Sequence, residues 1–196
     1  MTAHITEHPS IWRRLVGDPA WLSSVAAVLI GVSALSVSVY QASIMREQQR
    51  MSVWPHVTLW SSNVDASGKP VYLIELRNDG VGPAKLQSLE VLVDGLPVRS
   101  WDEAIAKLTP KVVEGKPGET LTSTLHNRVL PAGDKATGLQ LRDGWRVALL
   151  EKERARVRIR YCYCSIYNDC TLSDEGRADE QQPVEACPAP TLPFEG

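Results

Sequence analysis

"RARVRIRYCYCSIYNDC", Arg154–Cys170, holds three of the chain's four cysteines and a run of alternate arginines. In extended chain, Ala155, Val157, Ile159, Tyr161 and Tyr163 fall on one face and Arg154, Arg156, Arg158, Arg160, Cys162 and Cys164 on the other. The stretch predicts a β-strand with an apolar inner side. "SIYND" then reads as a hairpin connection, with Asn168 and Asp169 as turn residues and a second strand starting at Cys170.

The cysteines continue the arginine-bearing face, so they are expected to pair or to hold a metal rather than to fill a core. Cys162 and Cys164 on one strand lie about 6.5 to 7 Å apart at Cα, at the limit of a disulfide. The hairpin lets Cys164 face Cys170, which leaves Cys187 in the Pro-rich tail for Cys162. A closed four-thiolate zinc site is the alternative, although the spacing C-x-C-x5-C-x16-C lacks paired C-x2-C knuckles. Reduced thiols in a cytosolic-facing domain are the third option. Disulfides persist outside the cytosol, so this reading predicts an extracytoplasmic domain with no metal and no cofactor.

Before that domain, Pro19–Met45 is a run of 27 residues without a charge. About 20 apolar residues cross a bilayer, so the run predicts a retained transmembrane helix in contact with lipid. A cleaved signal peptide would have a shorter apolar core and an Ala-x-Ala site. Asp18 and Pro19 read as N-cap and first helical residue. Trp21 and Tyr40 suit the headgroup regions, while Arg13 and Arg14 on one side balance Arg46 and Arg50 on the other. Charge therefore leaves the orientation open. The cysteines decide it, with the N-terminus cytoplasmic and the C-terminal domain in the periplasm. Within the span, Ala27, Gly31, Ala34 and Ser38 form a stripe of small residues on which another helix can pack.

Residues 53–172 divide into short strands separated by turn signals. "VWPHVTLW" (53–60) opens with Pro55, the mark of an edge strand. "VYLIELRN" (71–78) alternates, with Tyr72, Ile74 and Leu76 inward and Glu75 and Arg77 outward. In the loop that follows, Gly80 and Gly82 are expected at positive φ. "AKLQSLEVLV" (84–93) ends at Asp94-Gly95, a two-residue hairpin signal, and 101–109 has helical spacing. "TLTSTL", "TGLQL" and "WRVALL" read as further strands, and 173–196 as an irregular tail tethered at Cys187. The expected organisation is a tail over 1–18, a membrane helix over 19–45, a linker over 46–52, the strand domain over 53–172, and that last tail.

Short strands with a single brief helix predict a mainly β, antiparallel sandwich. "LRNDGVGPAKLQSLEVLVDG", Leu76–Gly95, resembles the strand, Asn-x-Gly loop, strand and Asp-Gly hairpin of immunoglobulin-like sandwich modules on bacterial surfaces. In plan the chain is similar to small single-span proteins of the bacterial inner membrane. That resemblance implies a fold and no particular partner.

Residues 51–196 carry 17 Lys and Arg against 20 Asp and Glu, a balance unsuited to nucleic acid. The chain has no G-x-S-x-G, no H-E-x-x-H and no P-loop, and His4, His8, His56 and His126 have no patterned partner, so no catalytic residue is assigned. Binding remains. The row Arg154, Arg156, Arg158 and Arg160 is either a docking face for an acidic partner or a solvated face paired with neighbouring carboxylates. Trp54, Trp60, Trp101 and Trp145 are expected mostly in the core. The functional expectation is a membrane-anchored binding or scaffold protein, an accessory subunit of an envelope complex partnered by another envelope protein or by itself. The alternatives are an envelope enzyme of unrecognised type and a cytosolic-facing zinc or thiol domain.

Overall fold

The computed structural model describes residues 19–109, 120–175 and 181–196. The chain falls into two units, Met1–Gln49 and Arg50–Gly196. Helix α1, Pro19–Ser52, is 34 residues long with no buried residue, and it is long and apolar enough to cross a membrane. It runs without a break through 46–52, where a linker was expected, because "REQQRMS" contains neither Gly nor Pro to stop it. Asp18, the proposed cap, lies outside the described residues, as do His4, His8, Arg13 and Arg14. At Gly31 the small stripe has nothing within 4 Å, and Ser38 Oγ donates to the Ala34 carbonyl 2.8 Å away.

Among the described residues, the second unit has ten strands in two antiparallel sheets. The strands are β1 Val57–Val64, β2 Pro70–Asn78, β3 Ala84–Val93, β4 Leu96–Val98, β5 Thr120–Thr122, β6 Arg128–Leu130, β7 Lys135–Leu141, β8 Val157–Cys164, β9 Cys170–Asp174 and β10 Gln181–Val184. One sheet has the order β1-β2-β7-β5; the other has β10-β9-β8-β3-β4, with β6 also paired to β3. Alternation dictates the inward faces. Tyr72, Ile74 and Leu76 of β2 and Leu139 and Leu141 of β7 meet Leu86, Val91, Ile159, Tyr161 and Tyr163 in one apolar core.

Among the described residues, two short helices pack on the core where a single one was expected. Helix α2, Trp101–Leu108, starts at Ser100, whose side chain accepts from the Glu103 N–H while the Glu103 carboxylate accepts from the Arg99 N–H. Helix α3, Gly144–Lys152, replaces the strand expected at 145–150. Its Val147 and Leu150 are three apart and both buried, and Ala148 to Lys152 are strong helix formers. A 3-10 turn over Arg154–Arg156 follows, so β8 begins only at Val157.

The loop Asn78–Pro83 is fixed by close approach rather than by positive φ. Gly80 and Gly82 are not left-handed. A Cβ on Gly82 would sit 1.8 Å from the Val53 carbonyl oxygen, and one on Gly80 2.3 Å from the His56 nitrogen. Asn78, fully buried, ties the region together. Its amide donates to the carbonyls of Gly82, Leu130 and Pro131, and its oxygen accepts from the N–H groups of His56 and Gly80. Asp94 and Gly95, at φ 52° and 80°, make the hairpin turn that the dipeptide announces.

The final segment is ordered where an irregular tail was expected. β10 adds to the outer edge of β9, with Pro183 tolerated because no strand among the described residues pairs beyond it. Further on, Thr191 N–H donates to Glu90, Glu195 N–H to the Arg99 carbonyl, and buried Phe194 meets Trp101 edge-on at 5.3 Å. Trp101 is the one deeply buried tryptophan of the four expected in the core. Trp60, on the outer side of edge strand β1, lies under the Arg77 guanidinium at 3.9 Å; Trp54 is exposed and Trp145 half-buried.

Candidate docking groove

Between the two sheets the apolar core opens to solvent in a cavity of about 860 Å³. Leu59 of β1, Tyr72 and Ile74 of β2, and Val157 and Ile159 of β8 line its apolar part. The rim is charged, with Lys152, Arg154, Arg156 and Arg158 set among Asp94, Glu151 and Glu175. A second cavity of about 520 Å³ shares Leu59 and Glu175 with the first and continues toward His56. Bridges from the other sheet narrow it, since the Tyr161 hydroxyl and the Gln181 amide both donate to the Val57 carbonyl, at 3.0 and 2.8 Å. Among the described residues, strand β1 stands at the edge of its sheet and pairs with β2 alone.

The four arginines of the sequence motif do not form one strand row. Arg154 and Arg156 belong to the 3-10 turn; Arg158 and Arg160 belong to β8. Arg156 is paired with Asp94 and, at 3.1 Å, with Glu153. Arg158 is forked onto Asp174, and Arg160 bridges Asp174 at 3.2 Å and Glu90 at 3.3 Å. Cross-strand register explains the last set, because Arg160 stands opposite both Asp174 and Glu90. Arg154 differs: it donates to Ser61 Oγ at 3.4 Å and has no carboxylate partner among the described residues. Its charge also acts on Tyr72 beneath it. Burial raises the Tyr72 phenol above its ordinary value, Arg154 works against that shift and Glu151 adds to it.

The cysteines form two disulfides, Cys164–Cys170 across the β8–β9 hairpin and Cys162–Cys187 to the tail, with no free thiol. Their side of β8 is not open, contrary to the expectation from alternation. Cys162 and Cys164 are buried, and the disulfide from Cys162 brings Cys187 of the tail to 3.6 Å from the Cys164 sulfur. The sulfurs of Cys164, Cys170 and Cys187 lie within 4.8 Å of one another.

His126 is exposed and lines neither cavity. His56 lines the second one together with Thr58, Ser173 and Glu175, and its buried Nδ1 has no partner among the described residues. Lys152, Glu151 and Tyr72 belong to the groove without having been expected there. For the first two the signal was the charged end of a helix read as a strand. No family model matches the chain, and no curated protein or solved structure is similar to it.

Proposed function

We propose that the protein is a single-span membrane anchor carrying an immunoglobulin-like β-sandwich. The sandwich binds an extended acidic segment of another envelope protein, as an accessory or scaffold subunit of an envelope complex. One observation carries this reading: an arginine-rimmed groove with an apolar floor runs beside an edge strand, and its Arg154 has no carboxylate partner among the described residues. An edge strand accepts an added strand through its backbone, and a guanidinium at the rim selects carboxylates. The order β1-β2-β7-β5 against β9-β8-β3 supports the sandwich assignment, since it follows the A-B-E-D and G-F-C order of immunoglobulin domains. Both disulfides fit an oxidising compartment, which supports a cytoplasmic N-terminus and a periplasmic domain on the bacterial inner membrane. Ala27, Gly31, Ala34 and Ser38 give the span a face for a second helix of the complex or a second copy of the chain.

A photo-crosslinking residue at Lys152 in the full-length, membrane-embedded chain tests the groove. The expected result is an adduct whose captured segment is acidic, lost in Arg154→Glu and retained in Arg128→Glu, which alters an exposed arginine on β6. Equal adduct in both variants overturns the proposal.

An envelope enzyme is the second reading, favoured by the cavity that gathers His56, Thr58, Ser173 and Glu175. A serine-directed phosphonate separates the two. Stoichiometric labelling of Ser173 supports an enzyme, whereas no labelling supports the docking protein.

A further inference from the structure

The two disulfides touch. Sγ of Cys164, bonded to Cys170, lies 3.6 Å from Sγ of Cys187, bonded to Cys162. We propose that the four cysteines form one thiol–disulfide exchange site whose substrate is an external thiol, with Cys164 as the sulfur that passes the bond from one pair to the other.

The arrangement follows from three placements. Cys162 and Cys164 project from the same side of β8 by alternation; Cys170 stands directly opposite Cys164 in the ladder; and Cys187 comes over both from the tail. Cys162, Cys164 and Cys170 are all buried and Cys187 is half-buried, so geometry rather than exposure selects the target. The sulfurs of Cys164, Cys170 and Cys187 lie within 4.8 Å of one another, and attack on Cys170, beside the exposed hairpin residues 166–169, is the one that frees Cys164 against Cys187. A thiolate attacking Cys170 forms a mixed disulfide there and releases Cys164 as a thiolate. That thiolate attacks Cys187 in contact with it, the Cys164–Cys187 bond forms, and the Cys162–Cys187 bond breaks. Cys162 departs with the electron pair and takes up the proton the external thiol has lost, ending as a neutral buried thiol, a state cysteine tolerates well. One thiol is consumed, one is produced, and no other oxidant or reductant is required.

The product differs in shape as well as in bonding. Moving the tether from Cys162 to Cys164 displaces the tail anchor by two residues along β8, about 6.6 Å. Strand β10 precedes that anchor, and its Gln181 makes the bridge to the Val57 carbonyl.

The test maps disulfides in the full-length, oxidised chain in mild detergent after brief exposure to reduced glutathione, acid quenching and alkylation. The expected first product carries glutathione on Cys170, a Cys164–Cys187 bond and an alkyl group on Cys162. Glutathione on Cys187 with Cys164–Cys170 intact overturns the proposal, and so does loss of the hairpin bond with Cys162–Cys187 retained. A second arm uses Cys162→Ser, which leaves Cys187 free beside Cys164. The proposal expects Cys170 to be the alkylated thiol in more than half of the molecules; predominant alkylation of Cys187 overturns it. The wild-type arm reads the connectivity without relying on the fold of the variant.

Discussion

Single residues fix the loops that hold the two sheets in place. Asn78 satisfies five backbone groups from one buried side chain, and an unsatisfied buried polar group costs about 1–3 kcal/mol. Asn78→Ala is therefore expected to lower stability by about 3 kcal/mol or more in chemical denaturation. Gly82→Ala should be severely destabilising, because the added methyl meets the backbone of Val53. Glu75 makes a pH-dependent contribution. Burial raises its pKa, but hydrogen bonds and charge from Lys135 and Arg77 outweigh burial and hold it below the ordinary glutamate value. A depressed carboxylate stabilises the fold above its unfolded pKa and loses that contribution as pH falls through the folded one. Stability should thus decline on acidification below about pH 4.5, and Glu75→Gln should flatten the decline while costing about 1 kcal/mol at neutral pH.

At the scale of elements, composition and context divided the outcome. Periodicity identified β2, β3, β8 and α2 because each carries a regular apolar face, and the Asp94-Gly95 turn was legible because its chemistry is local. Helix α3 was not legible, since "WRVALL" satisfies alternation as well as helical spacing over so few residues. The tail was missed for a different reason: its order comes from partners far away in sequence, namely the edge of β9, Glu90, Arg99 and Trp101. Phe194→Ala is expected to cost about 3 kcal/mol, as for a buried aromatic ring, and to release residues 188–196 to limited proteolysis. An unchanged protease pattern would show that Phe194 does not hold the tail.

For the molecule as a whole, the covalent links and the long apolar helix dominate. The Cys162–Cys187 bond joins residues 25 apart, a closure that contributes about 3 kcal/mol on loop-entropy grounds. Removing it by Cys162→Ala with Cys187→Ala should lower stability by about that amount, whereas Cys164→Ala with Cys170→Ala, closing a separation of only 6, should cost less. Topology is tested on intact membranes by alkylating before and after reduction. Four sites appearing only after reduction agree with an extracytoplasmic domain; four sites available beforehand would place it in the cytosol.

The sequence alone determined those properties that depend on neighbours along the chain. An uncharged run of this length is long enough to cross a bilayer whatever follows it, alternation creates a strand face, and a C-x-C strand next to a five-residue hairpin restricts which cysteines can meet. Tertiary structure alone decided what those faces confront. Arg158 and Arg160 found Asp174 and Glu90 through cross-strand register, Arg154 at the groove has a hydroxyl and no carboxylate partner among the described residues, and the tail disulfide brought Cys187 against buried Cys164. Pairing between sheets, and burial under a distant segment, depend on long-range closure, which local spacing does not encode.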